Sequence, residues 1–211
     1  MNDRNLPVYS AGEETMNTIT HGIGIPFGIV CLILCIGKRP GAGSLIYGLS
    51  LIAVYTISAI YHGWKPGYAK KVLQVLDHCT IYTLIAGTYT PILLADFVPE
   101  APLVGWGMLL FQWGCTLLCI LLNAIDLRRF RVISMIAYIL MGWAIIFVFP
   151  VAVLVMARPG LAYVFWGGVS YSVGAILYGI GSKRPWFHSI FHIFVLLGSL
   201  LQFLGVYRYI I

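Results

Sequence analysis

The chain has 211 residues, of which 60% are hydrophobic and 9% charged. Soluble domains carry about 25% charged residues, so this composition excludes a soluble globular protein and predicts an all-α integral membrane protein, multi-pass in the cell membrane. The net charge of +6 would suggest nucleic acid in a soluble chain. Here the basic residues lie in short gaps between apolar runs, where they set topology instead, and no nucleic-acid partner is expected.

Residues 1–15 are polar, with Asp3, Arg4, Glu13 and Glu14 and no early apolar run, so no cleavable signal peptide is expected. A bilayer core of about 30 Å needs about 20 helical residues. Seven runs qualify, at about 17–37, 43–62, 74–95, 103–124, 132–155, 161–181 and 186–209. The breaks between them carry turn or charge signals: Lys38-Arg39-Pro40-Gly41, Lys65-Pro66-Gly67, Asp96 to Pro102, Asp126 to Arg131, Arg158-Pro159-Gly160 and Lys183-Arg184-Pro185. Residues 1–211 therefore read as one seven-transmembrane-helix domain whose consecutive helices are antiparallel neighbours. Pro26, Pro91 and Pro150 are expected to kink their helices, and the Gly24/Gly28 spacing permits close helix contact. Cys31, Cys35, Cys79, Cys115 and Cys119 all fall in apolar runs and are read as small packing residues.

Seven spans place the termini on opposite sides. With the N-terminus inside, the inner segments hold nine of the 13 basic residues: Arg4, Lys65, Lys70, Lys71, Arg128, Arg129, Arg131, Lys183 and Arg184. The outer segments hold Lys38, Arg39, Arg158 and Arg208. The excess of inner positive charge predicts an inside N-terminus and an outside C-terminus.

Four ionisable residues interrupt these spans. His62 ends the second, Asp77 opens the third, and His188 and His192 lie in the first turns of the seventh. An ionisable group in hydrocarbon is costly and marks a functional site by default. His188 and His192 are four apart and share one helix face. At 1.5 Å per residue, His62 lies about 5 Å from Lys65, Asp77 about 9 Å past Lys71, and the two other histidines about 6 and 12 Å past Arg184. All four thus fall in one layer beneath the inner interface, and reversing the whole protein keeps that layer intact. Glu14, Asn17 and His21 form an i, i+3, i+7 stripe at the inner end of the first span and can supply a second shell to the layer. His78 points about 100° away from Asp77 and is expected to be structural. Three imidazoles with a carboxylate nearby suggest a metal ion, Zn2+ before others.

The residues that carry this pattern resemble the hemolysin III branch of the progestin and adipoQ receptor family. They are Glu13-Glu14-Thr15-Met16-Asn17 leading to Thr20-His21-Gly22, Ser58-Ala59-Ile60-Tyr61-His62, Asp77-His78-Cys79, the run Ile81 to Pro91, and His188-Ser189-Ile190-Phe191-His192. The family is similar to a wider group of membrane hydrolases that includes the alkaline ceramidases. The resemblance implies seven helices, an inside N-terminus, and zinc held by His62, His188 and His192. It also implies that Asp77 reaches the metal through a water and that Ser58 faces the site. The expected function is a zinc-dependent hydrolase of a lipid amide or ester, with Asp77 as proton acceptor and Ser58 as donor to the oxyanion. Three neutral ligands leave a fourth metal position open, the pattern of a catalytic rather than a structural zinc. The alternatives are a non-enzymatic membrane sensor or receptor-like protein with a structural zinc and, lower, a cytolysin. The expected partners are the lipid bilayer and a lipid substrate.

Overall fold

The computed structural model describes residues 6–181 and 184–211. Arg4 and Lys183, both counted in the topology, lie outside the described residues. The described chain is helical, without strands. Its elements are α1 (Ala11–Lys38), α2 (Ala42–Gly63), α3 (Tyr68–Glu100), α4 (Pro102–Asp126), α5 (the pair Arg131–Gly142 and Ala144–Val155), α6 (Arg158–Gly181) and α7 (Phe187–Ile210). Six of these helices are long and apolar enough to cross a membrane, and the bent pair α5 completes a seventh span. The protein is a multi-pass membrane bundle.

The boundaries follow local chemistry. Helix α1 starts six residues before the apolar run because Ser10 and Glu13 form a capping box. The Ser10 amide donates to Glu13 Oε2 at 2.9 Å, and the Glu13 amide donates to Ser10 Oγ at 3.3 Å. Pro91 lies inside α3, where its missing N–H loosens the ladder, and a π turn at Leu93–Phe97 follows it. In α5 the two halves meet at 41°. That bend sits around Trp143, ahead of Pro150, with a 3₁₀ stretch at Ala144–Val148 between them.

Neighbours in sequence are neighbours in space. α1 packs on α2, α2 on α3, α3 on α4 and α6 on α7, and α1 also touches α7, which closes the ring. Side chains on α4 such as Leu103, Leu110, Leu121 and Ile125 are exposed, as expected for a face turned to lipid. The α1–α2 contact depends on glycine: a Cβ at Gly24 would lie 2.3 Å from the Tyr55 ring, and one at Gly28 would lie 3.1 Å from the Ile52 amide nitrogen. The five cysteines are free, and Cys31 and Cys35 are fully buried in the core, in keeping with a packing role.

Candidate metal centre

His62, His188 and His192 converge, all buried, with one ring nitrogen from each lying within 4.8 Å of the others. His188 Nε2 is 3.2 Å from His62 Nε2 and 3.1 Å from His192 Nε2. A zinc ion with Zn–N bonds of about 2.0–2.1 Å in a tetrahedral set would hold its nitrogens about 3.4 Å apart. The observed separations match that span.

The far sides of the rings decide which nitrogens carry protons. Glu14 Oε2 lies 2.6 Å from His62 Nδ1, and a carboxylate only accepts, so Nδ1 holds the proton and Nε2 presents its lone pair. His192 Nδ1 lies 3.2 Å from Thr20 Oγ1. The Thr20 hydroxyl already donates to the Met16 carbonyl at 2.9 Å, so it accepts from His192, whose Nε2 is then also unprotonated. Two lone pairs therefore face His188 Nε2 at hydrogen-bond distance. One imidazole proton cannot satisfy both, whereas a cation can, so this donor set fits a metal ion.

The α1 stripe meets the cluster as its spacing suggested. Besides Glu14 on His62, the Asn17 amide approaches His62 Nδ1 at 3.4 Å, and Asn17 Oδ1 accepts from Ser189 at 2.6 Å. His21 stacks on His192 with centroids 3.6 Å apart, and both of its ring nitrogens are buried without a protein partner. Thr20, Ser189 and Lys70 join this shell without having been singled out in the sequence. Lys70 reads as one of several topogenic lysines, yet it is 4% exposed. Its ammonium donates to Glu14 Oε1 at 2.5 Å and to the Trp64 carbonyl at 3.1 Å. A relay of His62, Glu14 and Lys70 thus runs from α2 through α1 to α3.

Asp77 is not in the histidine cluster. It lines the same cavity as Ser58, His188 and His192. His78 also stays out of the cluster: its Nδ1 lies 2.9 Å from the Gln74 carbonyl and its Nε2 lies 3.4 Å from the Tyr178 hydroxyl. His78 nevertheless lines the cavity, which a purely structural residue need not do. The cavity has a volume of about 1130 Å3. Tyr9, ahead of α1, also lines it and stacks on the His188 ring at 5.0 Å. Burial, with Tyr178, Glu14 and Asp77 close by, holds the Tyr9 phenol well above its usual value, so it remains a donor. No pattern in the polar N-terminal stretch marks Tyr9 in advance.

Among known proteins, the family model described as "Haemolysin-III related" matches residues 9–203. The chain is 35% identical to the "Hemolysin-3 homolog" of Bacillus subtilis (strain 168), covering 96% of each chain. It is 37% identical to the "Hemolysin-3" of Bacillus cereus, covering 94% of this chain and 92% of that one. A more distant relative is the human "Monocyte to macrophage differentiation factor", 26% identical over 78% of this chain and 69% of its own. The match over nearly all seven helices places this chain in the haemolysin-III-related family of membrane proteins.

Proposed function

We propose that the protein is a zinc-dependent membrane hydrolase of a lipid amide or ester. The observation that carries this reading is a three-histidine cluster, its outer nitrogens engaged by Glu14 and Thr20, set beside a cavity that also holds Asp77. His62, His188 and His192 would hold the ion and leave one position free. When bound, zinc supplies Lewis-acid chemistry, polarising a carbonyl oxygen and acidifying water.

The chain's own residues do the rest. Asp77 takes a proton from the attacking water as its oxygen adds to the carbonyl carbon, then gives that proton to the leaving nitrogen or oxygen. The C–N or C–O bond breaks, releasing a fatty acid and an amine or alcohol. Ser58, which lines the cavity together with Asp77, donates its hydroxyl to the developing oxyanion. Apolar walls such as Leu84, Ile85 and Val195 suit the hydrocarbon chain of a substrate drawn from the bilayer.

The test is release of fatty acid from a panel of lipid amides and esters by the purified, zinc-loaded protein. Asp77→Ala should lower turnover by about 10²–10⁴-fold while zinc content and thermal stability hold. An unchanged lipid panel, or full activity in Asp77→Ala, would overturn the reading.

A second reading is a membrane sensor whose zinc is structural. It is favoured by one observation: the cluster ties α2 to α7, and Glu14 and Thr20 add α1 to the knot. X-ray absorption on the metal-loaded protein separates the two, since a fourth protein ligand supports the staple and a water supports the hydrolase. The relatives named Hemolysin-3 raise direct cytolysis as a third possibility. Haemoglobin release from erythrocytes exposed to purified protein tests it, and no release is expected.

A further inference from the structure

Five charged residues line the cavity beside the histidine cluster: Glu13, Asp77 and three arginines that stand at helix ends on one side of the bundle. Arg128 and Arg131, at the α4–α5 junction, and Arg184, ahead of α7, all line it and are exposed there. None of the three forms an ion pair with a described carboxylate. Their place is not explained by topology alone. Lys65, Lys71 and Arg129 belong to the same inner segments but are not part of the cavity wall, and Arg129 lies over the Phe130 ring instead.

The opposite end of the cavity is reached along α7. Gln202 also lines it, 14 residues past His188, which is about 21 Å of helix. Between the ends the wall is largely apolar, with Met135, Ile139, Phe191 and Val195. A guanidinium group matches phosphate and carboxylate oxygens in a two-pronged fork. Three of them at the mouth of a long apolar chamber complement an amphiphile with an anionic head and a hydrocarbon tail.

We propose that the cavity binds a lipid with an anionic phosphate headgroup, its phosphate held by Arg128, Arg131 and Arg184 and its chain directed toward Gln202. The proposal names the substrate class for the hydrolase reading and shares its cavity, but its test reads binding, so that either can fail alone. Such a lipid places its head–chain linkage between the arginines and the apolar walls, in the part of the cavity that holds Asp77, His188 and His192.

The experiment measures binding of lysophosphatidylglycerol and lysophosphatidylcholine with the same acyl chain to the purified full chain in neutral detergent, by native mass spectrometry. The anionic lipid should bind about tenfold more tightly, equivalent to about 1.4 kcal/mol, and the gap should narrow as salt rises. Replacing all three arginines (Arg128→Gln, Arg131→Gln, Arg184→Gln) should bring the two lipids to near parity, whereas Arg129→Gln should leave the preference intact. Asp77→Asn, inactive if the hydrolase reading holds, should keep the preference too. Glycerol 3-phosphate, which has the head without the chain, should fail to displace the lipid. Equal affinity for the two lipids in the wild-type protein overturns the proposal, and that comparison stands even if the triple variant does not fold. A preference that survives the triple replacement, or displacement by glycerol 3-phosphate as effective as by lipid, overturns it as well.

Discussion

At the scale of single residues, the most consequential group outside the histidine triad is Glu14. Its two oxygens face two partners, His62 Nδ1 at 2.6 Å and the Lys70 ammonium at 2.5 Å. A carboxylate behind a metal-binding histidine fixes the tautomer and raises the basicity of the ligating nitrogen. Glu14→Gln keeps the shape but removes the charge, and it should weaken zinc binding by about 10–100-fold in a competition titration with a chromophoric chelator. Loss of Lys70 should act in the same direction but less, because the Glu14–His62 bond survives. An unchanged affinity in Glu14→Gln would show that the relay does not tune the site. His188→Ala should go further and abolish stoichiometric metal by element analysis, since His188 Nε2 lies beside both other ligand nitrogens. The triad and Asp77 were legible in the sequence because each is an ionisable residue in an apolar run. Lys70 and Tyr9 were not, because a lysine near a span end and a tyrosine in a polar leader are ordinary there.

At the scale of elements, the site depends on how closely α1 approaches α2 and α7. Gly24 lets the α1 backbone lie against Tyr55, whose hydroxyl donates to Ser199 on α7 at 2.6 Å. Gly24→Ala would put a methyl group 2.3 Å from the Tyr55 ring, and overpacking of this kind costs about 1–3 kcal/mol. A lower unfolding temperature in detergent is expected, together with weaker metal binding, because α1 carries Glu14, Asn17 and Thr20. Unchanged stability would mean that α1 shifts freely on α2. A second tie joins α1 to the start of α7. The Glu13 carboxylate accepts from the Trp186 amide at 2.8 Å, and Trp186 has φ 68, in the left-handed region that a bulky residue rarely adopts. Glu13→Ala removes both the capping box and this anchor. It should destabilise the fold by about 1–2 kcal/mol, read as a drop in melting temperature, with His188 affected more than His62 because it lies two residues past Trp186. Helix α5 teaches a different lesson: Pro150 marks the kink expected from its sequence, but the chain bends by 41° near Trp143, ahead of that proline. Composition reports length and hydropathy, whereas a bend depends on local packing.

For the whole molecule, the cluster draws on the first turns of α1 and α7 and the last turn of α2, far apart in sequence. Metal removal should therefore loosen the bundle as a unit. Binding that favours the folded state contributes about 2.7 kcal/mol when the free metal is a hundredfold above its dissociation constant, so chelation should lower the melting temperature by several degrees. The same treatment of a His192→Ala protein should change nothing further. The excess of basic residues in the segments that include Lys65, Arg128 and Arg184 predicts that the end bearing the site faces the cytoplasm. Reporter fusions would check this, with a C-terminal alkaline phosphatase expected to be active and a C-terminal green fluorescent protein expected to be dark.

By itself, the sequence determined the number of spans, their antiparallel order and the common depth of His62, His188 and His192. These follow from hydrophobic length, helical rise and the parity of crossings, all of which are local quantities. Only the tertiary structure decided which nitrogens converge, that Glu14 bridges His62 to a buried Lys70, and that His21 lies flat against His192. Such contacts join residues up to 173 positions apart, as between Glu13 and Trp186. They depend on the rotation of each helix about its own axis, and that rotation is set by close packing such as Gly24 on Tyr55, which spacing along the chain does not encode.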